Sequence, residues 1–466
     1  MKKIWYTTLM SNRDFFKGKR IAVIGVGPHG EMVEDIKFMI KAGALVSIYD
    51  LKSEARLKNH LVFLRSVGLA NYVCGSVPRD DLVDMDMIIL SHEYPRDASF
   101  LAGVYSLKKD SEGKNIPVEY PETLFFKKSP PVTVIGVMGS CGKSTVVSML
   151  APMLEDVCSR VLNQGFFVID PESGSGIISH LGKIKNGDTV LFRGIDSMVK
   201  ELFAMRISPH VAVFTSLLPK TAYTDSPFEI LTYQTHNNFI VASDEIVDVI
   251  HSLKIKPKAK MFRTKPSVIP PEWLWNDSRE DKMNGWHKHD KDNAALALEV
   301  ARLFKVTDDA ARNMFGRWKS LKGRLEPVKK IKGVEFYNDS ASVLPFSTET
   351  SVVSMAKGRN IVLIFGGANV VNGENNYKSL YDIISKHVHT VVLLPGSGTV
   401  RERRNLEKIK DVNFFSAPSL EEAVRISLEH AAKGDKILFS PGFDAAGFDG
   451  SRKERGERFV RAVRGL

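Results

Sequence analysis

Short apolar runs bounded by glycine or charged residues recur along the chain, separated by stretches in which apolar residues return every three to four positions. The first pattern predicts buried strands and the second amphipathic helices. Strands are expected at Arg20 to Gly25, Leu45 to Tyr49 and Asp86 to Leu90, with a helix from Glu31 to Ala42 between the first two. The run Val132 to Val137 reads as a further strand, followed by a helix with apolar periodicity from Val146. Strands follow at Asp188 to Phe192, His210 to Phe214 and Phe239 to Ala242. A helix is expected from Asp290 to Phe304, with Ala294, Ala295, Ala297 and Leu298 on its apolar face. A last group comprises Val334 to Tyr337, Ile361 to Phe365, Val391 to Leu394 and Ile437 to Phe439. Strand and helix alternate throughout, which is the signature of a doubly wound α/β fold. No solenoid-period repeat or low-complexity stretch interrupts it.

Glycines mark two of the strand–helix junctions. Gly139-Ser140-Cys141-Gly142-Lys143-Ser144-Thr145 follows an apolar strand and opens a helix. Backbone N–H groups and a helix dipole there point at phosphate oxygens. Lys143 is placed to reach β/γ-phosphates, and the Ser144 hydroxyl is the candidate Mg²⁺ ligand. The segment is therefore expected to bind ATP or GTP. It is a variant loop, because Val137 stands where the usual eight-residue pattern has glycine. The other junction, Gly25-Val26-Gly27-Pro28-His29-Gly30, follows a strand and lies about twenty residues before Asp50, as in a dinucleotide fingerprint. Alone it fits NAD or any diphosphate ligand, a UDP-sugar included.

The 466 residues allow several domains, and the pattern divides them into 1–128, 129–320 and 321–466. Cys74, Cys141 and Cys158 show no disulfide or metal spacing. With no signal peptide or long apolar span in view, a cytoplasmic protein is expected. The net charge of +11 raises nucleic acid as a partner. The basic residues are spread along the chain without interleaved aromatics, so neither nucleic acid nor membrane is expected. His287 and His289 flank Lys288 without a third metal ligand in sight.

Taken together these motifs resemble the Mur ligases, over about Phe15 to Gly465. The first glycine turn with Asp50 and Ser91 is similar to the uridine-nucleotide domain of that family's D-glutamate-adding branch. Gly139 to Thr145 is similar to the family's Gly-Thr-Asn-Gly-Lys-Thr/Ser loop, and Asn163 with Gly165 to its Gly-Asn-Ile-Gly turn. His289-Asp290-Lys291-Asp292-Asn293 resembles the His-Asn-x-x-Asn helix start, Arg324-Leu325-Glu326 the hinge motif, and Asn338-Asp339-Ser340 the Asp-Ser strand end. Ser440-Pro441 and Arg455-Gly456 resemble the closing motifs. The resemblance implies a three-domain Mur ligase architecture: a Rossmann-like first domain, a central P-loop ATPase domain and a C-terminal α/β domain. It implies a monomer that uses ATP and Mg²⁺ to join an amino acid, D-glutamate in that branch, to UDP-N-acetylmuramoyl-L-alanine through an acyl phosphate. Gly25, Gly27, Gly30, Asp50 and Ser91 would hold the UDP-sugar. Gly139 to Thr145, Asn293, Arg324 and Asp339 would hold ATP, and Lys143, Asn163 and Lys220 would serve catalysis.

The match lapses around the chemistry. Arg193 stands where the family has a Mg²⁺-binding Glu, and Lys220 and Thr221 stand in place of an Asp-His pair. Tyr233 to Asn238, where the family's carbamylated lysine falls, contains no lysine. Ala341, Val343 and Ala445 replace lysine, threonine and serine, and Gly366-Gly367-Ala368-Asn369-Val370 replaces Gly-Gly-x-Asp-Lys. Two readings follow for Arg193 and Lys220: cations that stabilise phosphate charge in place of Mg²⁺, or surface or structural residues of a site that has drifted. For the chain, the alternative to a ligase is a weakened or inactive nucleotide- and UDP-sugar-binding homologue with a regulatory or scaffold role.

Overall fold

A computed structural model describes residues 14–27, 30–94, 98–101, 103–109, 114–171, 173–217, 227–274, 286–368, 377–445 and 452–466. Of the candidate residues, Lys220 lies outside these, as do Pro28, His29, Thr221, Asn369 and Val370. The chain divides into two compact units. The first is built from residues up to Lys265 together with Leu296–Asp308, the second from Asp309–Leu466 together with Pro266–Ala295.

The first unit carries two parallel sheets. One has five strands in the order Asn71–Cys74, Leu45–Asp50, Arg20–Ile24, Met87–Leu90, Val118–Glu119. The other has six, in the order Lys260–Thr264, Phe239–Ser243, Val211–Phe214, Thr133–Met138, Thr189–Arg193, Phe166–Ile169. In each, the strand leading into a glycine turn lies between neighbours whose connections run to opposite sides. Both turns thus sit at a topological switch point, where parallel sheets receive ligands. The central strands are apolar on both faces because both are covered: Ile21 and Val23 are buried on one side and Ala22 and Ile24 on the other, as are Val134 and Val190 against Ile135 and Leu191. The Pro121–Lys128 helix connects the sheets and packs Phe126 edge-on to Phe192, 6.0 Å between ring centres. A polar link runs beside it: Ile177 N–H and Ser179 N–H donate to the buried Asp35 carboxylate at 2.7 and 2.9 Å.

The second unit carries a six-stranded sheet in the order Glu326–Ile331, Val334–Asn338, Lys436–Phe439, Ile361–Phe365, Val388–Leu393, Asn413–Ser416. It is parallel except for the first strand, which forms an antiparallel pair with Val334–Asn338. This is the α/β architecture expected, with the expected strands displaced by no more than a few residues. Among the described residues, no helix is long and apolar enough to cross a membrane.

Candidate functional site

The Thr133–Met138 strand runs into Gly139, whose φ of +125° only glycine adopts without strain. A Cβ there would lie 2.3 Å from Thr215 Oγ1 and 2.9 Å from the Ser216 carbonyl oxygen. The loop is held against that neighbouring strand end: Ser140 N–H donates to Ser216 O at 2.8 Å, and Ser216 Oγ donates to Cys141 O at 3.2 Å. Gly142, left-handed at φ +92°, caps the Lys143–Arg160 helix. The helix therefore starts three residues before the apolar periodicity does. Lys143, Ser144 and Thr145 form its first turn, where helix amides and dipole favour an anion. The Lys143 ammonium bends over the loop and donates to Gly139 O at 2.5 Å. Asn163 is exposed in a left-handed turn (φ +51°) just beyond that helix.

On the loop's other side the Thr189–Arg193 strand ends in Arg193, which is 4% exposed and donates from Nε to Asp170 at 2.7 Å. A guanidinium at that strand end is no ligand for a cation. No group of three His, Cys, Asp or Glu able to hold a metal occurs among the described residues. Where the family's carbamylated lysine falls, Gln234 is buried and donates to Pro209 O at 2.9 Å. The Ser144 hydroxyl suits a Mg²⁺ arriving with the nucleotide; the carboxylate set for a further resident metal is missing from the described residues.

The first glycine turn brings together Gly25, Gly27, Gly30, Asp50 and Ser91. Its amides are engaged from within. Gly25 N–H donates to Tyr49 O at 2.7 Å and Gly30 N–H to Gly27 O at 3.3 Å. Val26 N–H donates to Asp50 Oδ2 at 2.9 Å. Gly27 N–H donates to Glu93 Oε1 at 3.2 Å, and Lys52 Nζ donates to Glu93 Oε2 at 2.5 Å. Burial pushes the Glu93 carboxyl above its ordinary range, against the opposing pull of Lys52. Asp50 is fully buried and also accepts from Lys52 N–H at 2.8 Å and Tyr94 O–H at 3.3 Å. Glu93 and Lys52 were not among the residues expected here. Each lies two positions beyond an expected one, Ser91 and Asp50, at a strand's carboxyl end, and that position is the signal for them.

Below this turn a cavity of about 250 Å³ opens between the two sheets of the first unit, lined by Glu31, Asp35, Ser91, Glu93, Asp170 and Ile195 among others. Burial drives Asp35 up to about 6, although the amides of Ile177 and Ser179 favour its charged form. Burial favours the neutral His92, but the buried Glu122 at 2.9 Å, together with Asp35 and Glu31, outweighs it and raises the imidazole above its usual value.

In the second unit, Asp339 ends its strand fully enclosed. It accepts from Ser440 Oγ at 2.7 Å and Leu325 N–H at 3.2 Å, and burial raises its pKa against those bonds. The backbone amide that follows Arg324 is thus tied to the Asp339 carboxylate. Asn293 is buried in the same unit. His287, driven down to about 4 by burial, lies with Asp290, driven up to about 6 by the same cause. Val343 and Ala445 are buried, and Arg452 faces Asp444 at 3.7 Å.

No family model matches the chain. Among curated proteins it is 27% identical over 472 residues to the UDP-N-acetylmuramoylalanine–D-glutamate ligase of Clostridioides difficile, covering 97% of this chain and 99% of the relative. It is 26% identical over 474 residues to that of Koribacter versatilis, covering 96% and 98%. Solved structures with this fold include UDP-N-acetylmuramate–alanine ligase from Thermotoga maritima, with TM-score 0.57, 14% identity and coverage of 96% and 99%. A murein peptide ligase from Psychrobacter arcticus matches with TM-score 0.56, 14% identity and the same coverage. The chain has the Mur ligase fold and is a homologue, along nearly all of their length, of the UDP-N-acetylmuramoylalanine–D-glutamate ligases.

Proposed function

We propose that the protein is an ATP-dependent carboxylate–amine ligase of peptidoglycan precursor synthesis, acting on a UDP-N-acetylmuramoyl-linked carboxylate. The observation that carries this is the Gly139–Thr145 loop, built at a switch point in a chain similar to such ligases from end to end. In this reading residues 1–128 receive the UDP-sugar and 129–320 receive ATP with its Mg²⁺; Arg324 and Asp339, within 321–466, are proposed as further nucleotide-binding residues. The substrate carboxylate attacks the γ-phosphorus and ADP leaves. The amine then attacks the acyl carbon, phosphate leaves, and the amine nitrogen gives up a proton. Lys143 leaves Gly139 O for the phosphates and offsets their charge, so the loop acts by positioning and electrostatics. Lys220 supplies a further cation, and Asn163 orients the substrate. The amine is not held as D-glutamate is in the family, because Ala341, Val343 and Ala445 offer a carboxylate neither charge nor hydroxyl.

A second reading is favoured by one observation: Arg193, paired with Asp170, occupies the strand end where the family's metal carboxylate stands. Under it the chain binds nucleotide and UDP-sugar with little or no turnover. Phosphate release with UDP-N-acetylmuramoyl-L-alanine, ATP and a panel of amino acids separates the two. Amino-acid-dependent release supports the ligase. Binding of both nucleotides without release at any amino acid supports the second reading.

A further inference from the structure

The first glycine turn already holds an anion, and that anion belongs to the protein. Glu93 Oε1 accepts from Gly27 N–H, and Glu93 Oε2 accepts from Lys52, whose ammonium also stands 3.6 Å from Asp50. A Cβ on Gly25 would come within 2.7 Å of Glu93 Oε1 and 2.6 Å of the Tyr94 ring, so the carboxylate and that ring together fill the space that the glycine leaves open. These are the contacts a glycine turn makes with a ligand phosphate: a backbone N–H, a close approach over glycine, and a lysine counter-ion. Each described amide of the turn, at Gly25, Val26, Gly27 and Gly30, donates to an acceptor within the chain.

We propose that Glu93 is the specificity-determining residue of this turn: its carboxylate stands where a nucleoside diphosphate would be received, so a diphosphate enters only by displacing it, and Lys52 then changes partner from Glu93 to phosphate. This rests on the reading of the first sheet as the UDP-sugar site. The turn therefore discriminates against ligands whose only handle is the diphosphate. It favours ligands with enough further contact, to uridine on one side and in the cavity below on the other, to drive the exchange.

The test is calorimetry on the whole protein, with the Gly139–Thr145 loop saturated by a non-hydrolysable ATP analogue. UDP and uridine are titrated into wild type, Glu93→Ala and the near-isosteric Glu93→Gln. In wild type UDP should bind no more tightly than uridine. In both variants UDP should tighten about tenfold, as expected when a like charge leaves the phosphate subsite, with uridine unchanged. Adding Lys52→Ala to Glu93→Ala should reverse that gain. Measurable UDP binding that is unchanged or weaker in both variants overturns the proposal and leaves the UDP-sugar reading standing. If UDP and UDP-N-acetylmuramoyl-L-alanine bind neither wild type nor variant while the ATP analogue binds, the UDP-sugar reading falls, and the proposal with it.

Discussion

After Ile24 the chain turns through glycine and meets a carboxylate; after Met138 it turns through glycine and meets a lysine. Both junctions join a central parallel strand to a helix at a switch point of the first unit. They differ in what surrounds them. At the first, Asp50 and Glu93 arrive from the two flanking strand ends and take up the amides of Val26 and Gly27. At the second, one flanking strand end contributes the neutral Thr215 and Ser216, the other contributes Arg193, already paired with Asp170, and the charge on the loop itself is Lys143, lying on Gly139 O. A glycine turn thus supplies space and N–H groups. The sign of what it receives is set by side chains that neighbouring strands deliver.

The two turns should differ most at their glycines. Gly139→Ala should lower stability by about 3–4 kcal/mol, since left-handed strain adds to overlap with backbone and Thr215. Gly27→Ala, whose closest overlap at 2.2 Å is with the movable end of Glu31, should cost about 1–2 kcal/mol by thermal unfolding. Equal losses would show that the two turns are equally constrained. Next, Lys143→Ala should weaken ATP binding about a hundredfold by calorimetry, with UDP binding unchanged. ATP affinity at the wild-type level would remove the second turn as the nucleotide site.

A smaller effect concerns Asp35, on the Val33–Lys41 helix that follows the first turn. Folded, its carboxyl keeps a proton up to about 6; unfolded, it ionises near the ordinary 3.8 of an aspartate. Between these values the folded state binds more protons, so stability should fall as pH rises through the window, by roughly 2–3 kcal/mol. Urea unfolding from about pH 4 to about pH 7 should show this decline in wild type and a flatter profile in Asp35→Asn. A parallel decline in the variant would assign the slope to other groups. Least affected should be Cys141→Ser: the loop is held there through the Cys141 carbonyl, so ATP affinity should stay within about twofold. A larger loss would give the thiol a role of its own.

Legibility followed burial. The Arg20–Ile24, Thr133–Met138 and Ile361–Phe365 strands are covered on both faces, so their apolar runs stand out against any surroundings. The edge strands Asn71–Cys74, Phe166–Ile169, Lys260–Thr264 and Asn413–Ser416 were not expected. They are short and mostly half-buried or exposed; three have a mixed composition with no clean period, and Phe166–Ile169, though apolar throughout, is only four residues long. The helix after the second turn begins at Lys143, ahead of its apolar periodicity, because its first residues, Lys143 to Thr145, are polar and belong to the loop.

The sequence by itself determined the alternation of strands and helices, the two glycine turns and the likeness to Mur ligases, because these are local patterns of apolarity and backbone freedom. Only the tertiary structure decided that Glu93 sits on Gly27, 66 residues away, that Asp35 binds the amide of Ile177, 142 residues away, and that Arg193 meets Asp170. The first and third form where strand ends converge, and the second where the helix after the first turn meets the loop beyond a strand of the other sheet. Pairing order places those ends together, and buried polar groups then satisfy one another wherever the fold has brought them.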